Sequence, residues 1–172
     1  GTNSGTISQN IVSITGGTLT NNNSITANEF NNSATISGSG SLTATTGNNS
    51  GNITQDNVTI NGDYTNTGTI TSNNNFTNSG DISGDGGKLI VNNGSNSGSI
   101  SQDTLETSGT FENTGSIIAD ITNGGTFTNN NSVIASAITN SENKTFTNAG
   151  TVVTDTITNN GTLDGNGSIT IG

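Results

Sequence analysis

Asp81 and Asp85, four residues apart around Ser83-Gly84, are the carboxylates to weigh first for acid–base chemistry. Such a pair divides into acid and base only when burial, a cation or a histidine sets the two proton affinities apart. The chain has no histidine and no arginine, and its two lysines, Lys88 and Lys144, are far apart in sequence. Asp81 and Asp85 are therefore expected to be solvated loop acids, and no residue is assigned a catalytic role. The neighbouring Gly84-Asp85-Gly86-Gly87-Lys88 has the glycine density of a phosphate loop. That motif would also need glycine at position 82 and a hydroxyl at 89, where the chain has Ile82 and Leu89. The segment reads instead as a bulged turn entering Leu89-Ile90-Val91.

Calcium would need acidic ligands converging from successive turns of the chain. The related acids Asp56 and Asp103 sit one long repeat apart, too far along any stack for one ion to bridge. A weak single site at Asp81 and Asp85 is the remaining option, and no metal or cofactor is assigned. Thr-x-Thr triplets (Thr18/Thr20, Thr126/Thr128, Thr145/Thr147) would suit an ice-binding face if they stacked without interruption. Glu112 and Asp164 stand at the flanking equivalent positions, so outward threonines of ordinary strands are the expectation. Sugar binding wants exposed aromatic platforms. Tyr64 is the one polar aromatic to offer, and the five phenylalanines are needed inside. Sequons such as Asn52-Ile53-Thr54 matter only in a glycosylating host.

These side chains are positioned by a sequence that repeats itself. Asn3-Ser4-Gly5-Thr6-Ile7-Ser8-Gln9-Asn10 returns as Asn49-Ser50-Gly51-Asn52-Ile53-Thr54-Gln55-Asp56 and again as Asn96-Ser97-Gly98-Ser99-Ile100-Ser101-Gln102-Asp103. The period is 46 to 47 residues, and Phe30 with Phe76 and Ile14 with Ile60 keep it. Fixed-period self-similarity marks a chain in which each unit buries its apolar side only against its neighbours. A finer signal, Asn-x-(Gly/Ser/Ala)-x-(Ile/Val/Leu), recurs every 17 to 19 residues with shorter gaps of 10 to 12 after Ser24, Gly68 and Gly150. On that count the long period is two full coils plus a short one.

The apolar residues are 19 isoleucines against 5 leucines, a β-branched bias that favours strands. They alternate with polar residues in short pieces separated by Asn/Gly turns, as in Thr110-Phe111-Glu112, Ser116-Ile117-Ile118-Ala119 and Asp120-Ile121-Thr122. The pattern predicts an all-β, single-chain parallel β-solenoid over residues 1–172. It would have about ten coils of mostly 17–19 residues, with three short strands per regular coil. Phe111, Phe127 and Phe146 are expected in one inward column, with Ile117, Ile134 and Val152 in another. Asn49, Asn66, Asn78, Asn96, Asn113, Asn130 and Asn148 are expected to form a ladder in which amides of successive coils hydrogen-bond one another. Asparagine also tolerates the left-handed backbone that a corner could require.

Units such as Thr65-Asn66-Thr67-Gly68-Thr69-Ile70 and Thr147-Asn148-Ala149-Gly150-Thr151-Val152 resemble the passenger repeats of bacterial autotransporter and filamentous-haemagglutinin-type adhesins. The resemblance covers nearly the whole chain and rests on composition and period. It implies a right-handed parallel β-helix exported as a stalk to the bacterial cell surface or beyond. The six-residue aliphatic pattern of left-handed helices is missing, which agrees with right-handed winding.

Composition bounds the partners. Twelve acidic residues against two lysines give a net charge of −10, which repels phosphate backbones and argues against nucleic acid. No apolar run approaches the ~20 residues of a membrane span, so no membrane insertion is expected. Without cysteine there is no disulfide framework. The expected function is a structural or adhesive extracellular repeat protein forming a stalk or fibre, with an ice-binding or carbohydrate-binding module as the alternative. Gly1–Ile7 opens directly in the repeat signal and Gly167–Gly172 closes on an uncharged strand with two isoleucines. End-to-end self-association, or continuation in a longer chain, is therefore expected. Any surface receptor is left open.

Overall fold

A computed structural model describes residues 1–172 and contains twenty strands, all paired in parallel, and no helix. The chain winds as a β-solenoid of about ten turns. Each turn lays down three faces. The first face begins with Thr2–Asn3 under Thr18–Asn21, the second with the front half of Thr6–Ile14 and the third with its back half. Every later turn adds one layer to each face, and paired residues lie 16 to 19 positions apart in sequence, as for Leu89 with Leu105 and Thr126 with Thr145.

All turns are therefore of one size, and the short coils read from the 10-to-12-residue gaps do not exist. At those gaps the signal has moved to another corner. Gly51 and Gly68 precede the first face, whereas Gly80, Gly98 and Gly115 precede the third. A 46-to-47-residue repeat spans about two and two-thirds turns, which puts equivalent residues on different faces. Phe30 pairs along the third face with Gly47, and its repeat partner Phe76 pairs along the second face with Gly94.

Alternation sends every second side chain inward. Ile53, Ile70, Leu89, Leu105, Ile121 and Ile138 stack on the first face. Phe111, Phe127 and Phe146 stack on the second, with ring centroids 5.4 and 4.9 Å apart and nearly parallel planes. All five phenylalanines are buried in one continuous cluster of 27 residues that runs along the axis. The third-face column is Ile117, Val133 and Val152. Ile134, expected in it, is 46% exposed. In Ser132-Val133-Ile134-Ala135 two aliphatic residues are adjacent, and pairing of Ser132 with Ser116 gives the inward place to Val133.

Two strands per turn, not three, make up the three faces, because the backbone stays extended through one corner of each turn. That smooth corner joins second to third face in Thr6–Ile14, Ser24–Asn32 and Ser41–Asn49. It joins first to second in Asn52–Ile60, Thr69–Asn78 and Lys88–Asn96. From Ser99–Thr107 through Thr151–Asn159 it joins third to first.

Candidate functional site

The sharp corners hold buried asparagines. In each, the side-chain N–H group donates to the side-chain oxygen of the asparagine one turn on, and to backbone carbonyls nearby. Asn49 Nδ2 donates to Asn66 Oδ1 at 2.7 Å and to Gly51 O at 3.1 Å. An amide so placed meets both its donor and acceptor needs inside an apolar stack, where an unmet one would cost about 1–3 kcal/mol.

The ladder is not one line. Asn32, Asn49 and Asn66 run up the corner between third and first faces. Asn78, Asn96, Asn113, Asn129 and Asn148 run up the corner between second and third. Asn3 and Asn21, and later Asn123, Asn140 and Asn159, occupy the corner between first and second. The expected rung at Asn130 is taken by Asn129, which is fully buried, while Asn130 is exposed and donates to Glu112. Asn129-Asn130-Asn131 offers three candidates, and pairing of Asn113 with Asn129 selects the first. None of the ladder asparagines has positive φ; Asn143 is the one non-glycine residue that does. Amide bonding, not left-handed backbone, accounts for their place.

Where a ladder stops, a glycine turn and a glutamine stop it. Gly38 (φ 116°) lies one turn above Asn21, too close to the Asn21 carbonyl for any Cβ. One turn further, Gln55 reaches back over that gap and its Oε1 accepts from Asn21 Nδ2 at 2.5 Å. Gly84 (φ 140°) stands in the same relation to Asn66, and Gln102 Oε1 accepts from Asn66 Nδ2 at 2.6 Å. Gln102 Nε2 also donates to the Asn66, Gly84 and Ser101 carbonyls. The Gly84–Lys88 turn is thus a backbone recess for a glutamine amide, consistent with the bulged-turn reading. At each glutamine the sharp corner becomes smooth. The sequence signal was present, because Gln9, Gln55 and Gln102 share a repeated phrase, but this role was not read from it.

The outer surface carries the remaining candidates. Asp81 and Asp85 are both exposed, and no group of three or more His, Cys, Asp or Glu side chains is placed to hold a metal ion. Asp56 follows Gln55 at the first-to-second corner and Asp103 follows Gln102 at the third-to-first, so the two do not even share an edge. Lys88 pairs with Glu106 at 2.6 Å on the half-exposed first face. Thr126/Thr128 and Thr145/Thr147 do stack in register, but Glu112 lies below and Asp164 above, leaving a patch two turns tall. Thr18/Thr20 is on a different face. Tyr64 is buried against the third-face core with its hydroxyl unpartnered, so it offers no sugar platform. Burial raises its pKa well above the ordinary phenol value.

The one sizeable depression, about 580 Å³, follows Ile118, Ile134 and Val153 up the outside of the third face, with Asp103, Asp120 and Asp155 on its rim. Asp120 Oδ1 accepts the backbone N–H groups of Ser136 and Ala137, both at 2.9 Å, so that carboxylate serves the corner. Comparison with protein-family models, curated proteins and solved structures finds no match.

Proposed function

We propose that the chain is a rigid structural rod, a segment of an extracellular bacterial stalk or fibre. The single observation that carries this reading is the continuous core, with inward columns on three faces and asparagine ladders at the corners, joined by Gln55 and Gln102 where a ladder breaks off. Parallel backbone pairing joins each turn to the next on all three faces, and the net charge of −10 makes the surface self-repelling. The export setting rests on the likeness to adhesin passenger repeats. An adhesive contact would use Ile118, Ile134 and Val153, three exposed aliphatics stacked in register on the third face.

Ten turns at ~4.8 Å make a rod about 48 Å long. Displayed between a bacterial surface anchor and a fluorescent reporter, one copy should raise the reporter by about that distance and a tandem by twice as much. A height independent of copy number would overturn the rod reading. Thermal hysteresis from the purified chain at micromolar concentration would favour an ice-binding module in its place.

A further inference from the structure

Ile118, Ile134 and Val153 take outward places in three successive turns, although the inward places beside them are already filled by Ile117, Val133 and Val152. The same column holds Ser101 one turn below and Thr170 one turn above, so the strand itself does not call for aliphatic residues there. The row forms one wall of the third-face depression, which crosses four layers from Gln102–Thr104 to Val153–Asp155. That is about 14 Å along the axis.

The rim of this groove is anionic and unneutralised. Asp103 and Asp120 stand in adjacent layers, and Asp155 two layers further on. One oxygen of Asp103 accepts the Gly86 N–H, and one of Asp120 accepts those of Ser136 and Ala137. The other oxygen of each, and both of Asp155, have no partner in the chain. Neither lysine serves them. Lys88 is tied to Glu106 on the first face, and Lys144 lies in the turn entering the second-face strand Thr145–Asn148.

We propose that this groove docks a cationic amphipathic helix of a partner protein, its aliphatic stripe on Ile118, Ile134 and Val153 and its Lys or Arg residues along the aspartate rim. This names the partner of the adhesive contact and rests on that reading. Spacing selects the helix. Residues at i, i+4 and i+7 of a helix advance about 5.4 Å per turn, against ~4.8 Å between solenoid layers. The mismatch is about 0.6 Å per layer, small enough for three aliphatic contacts in a row. An extended strand shows same-side residues every ~6.6 Å and falls out of step by about 1.8 Å per layer. Strand addition is also closed to a partner here, because the backbones of these layers already pair with one another. Charge selects the sign. Three unpaired carboxylates beside an aliphatic row suit the long apolar stems and cationic heads of Lys and Arg.

The probe is a fluorescein-labelled peptide of about 20 residues, long enough to hold a helix, with leucine at i, i+4, i+7 and i+11 and lysine on both flanks. Anisotropy with the full chain should show saturable binding that weakens as salt rises from about 0.05 to 0.5 M. A scrambled peptide of the same composition, and one in which leucine and lysine alternate as in a strand, should bind about tenfold more weakly or not at all. Ile134→Thr, an outward change to a residue common on these strands, should keep the circular dichroism and weaken the helical peptide about tenfold. Asp155→Asn should weaken it about two- to fivefold, while Glu112→Gln, the same charge change on the second face, should leave it unaltered. Equal binding of the scrambled peptide, tighter binding of the alternating one, no effect of Ile134→Thr, or equal losses from Asp155→Asn and Glu112→Gln each overturns the proposal. Solution scattering from the same preparation reads the length of the rod without any peptide, so the two readings fail separately.

Discussion

Phe127 lies between Phe111 and Phe146 with no solvent exposure, so its truncation cannot be absorbed by neighbours held at the coil spacing. Phe127→Ala should cost about 3–5 kcal/mol, read as a lower denaturant midpoint; a loss under about 1 kcal/mol would contradict the packing. Tyr64 predicts the opposite sign. Its hydroxyl is buried and unbonded, so Tyr64→Phe should be neutral or stabilising by about 1–3 kcal/mol at pH 7. The folded phenol titrates above its unfolded value of 10.0. Stability from the neutral phenol is fully present below that value and is lost as pH rises above it, because the unfolded chain ionises first. Denaturation of wild type at pH 8 and pH 11 should show this loss, and Tyr64→Phe should reduce it. The phenylalanine column was legible because Phe111, Phe127 and Phe146 are single aromatics in alternating pieces. The Val133–Ile134 pair and the Asn129–Asn131 run were not, since adjacent residues of one type carry no phase, and phase comes from pairing with the turn below.

At the scale of the turn, interchangeability is the main property. Ser116 pairs with Ser132 one turn on, so removing residues 116–131 joins Gly115 to Ser132 with every column in phase. Phe111 would then stack on Phe146, Ile100 on Val133 and Leu105 on Ile138. This deletion should give a folded rod shorter by ~4.8 Å with an unchanged β spectrum, whereas removing only residues 116–123 should abolish folding by putting inward residues out of phase. Scattering length and circular dichroism check both. Turn length and the strand-and-corner alternation were readable in the sequence, since Asn/Gly signals punctuate each layer. The uniformity of the turns was not. Every corner uses the same asparagine signal, so a shift of corner looks in one dimension like a shortened coil.

For the whole molecule, stability is the sum of turns and of contacts between neighbouring turns, with no contact reaching across the rod's length. The solenoid class was legible from the repeat alone. The division of labour among the corners was hidden, because a glutamine two turns from its asparagine is separated from it by 34 to 36 residues, with no local pattern to tie them.

The fractional turn per repeat also constrains how such a gene can change. Recombination between two of the long repeats would add or remove 46 to 47 residues, and everything beyond the crossover would be rotated by 120° about the axis. A surface feature beyond that point would swing to another side of the solenoid without a single substitution in it. Gain or loss of one 16-to-19-residue turn would instead move that feature outward or inward along its own side. Unequal crossing-over thus offers two separable inheritable adjustments, azimuth and reach, from one stretch of repetitive DNA.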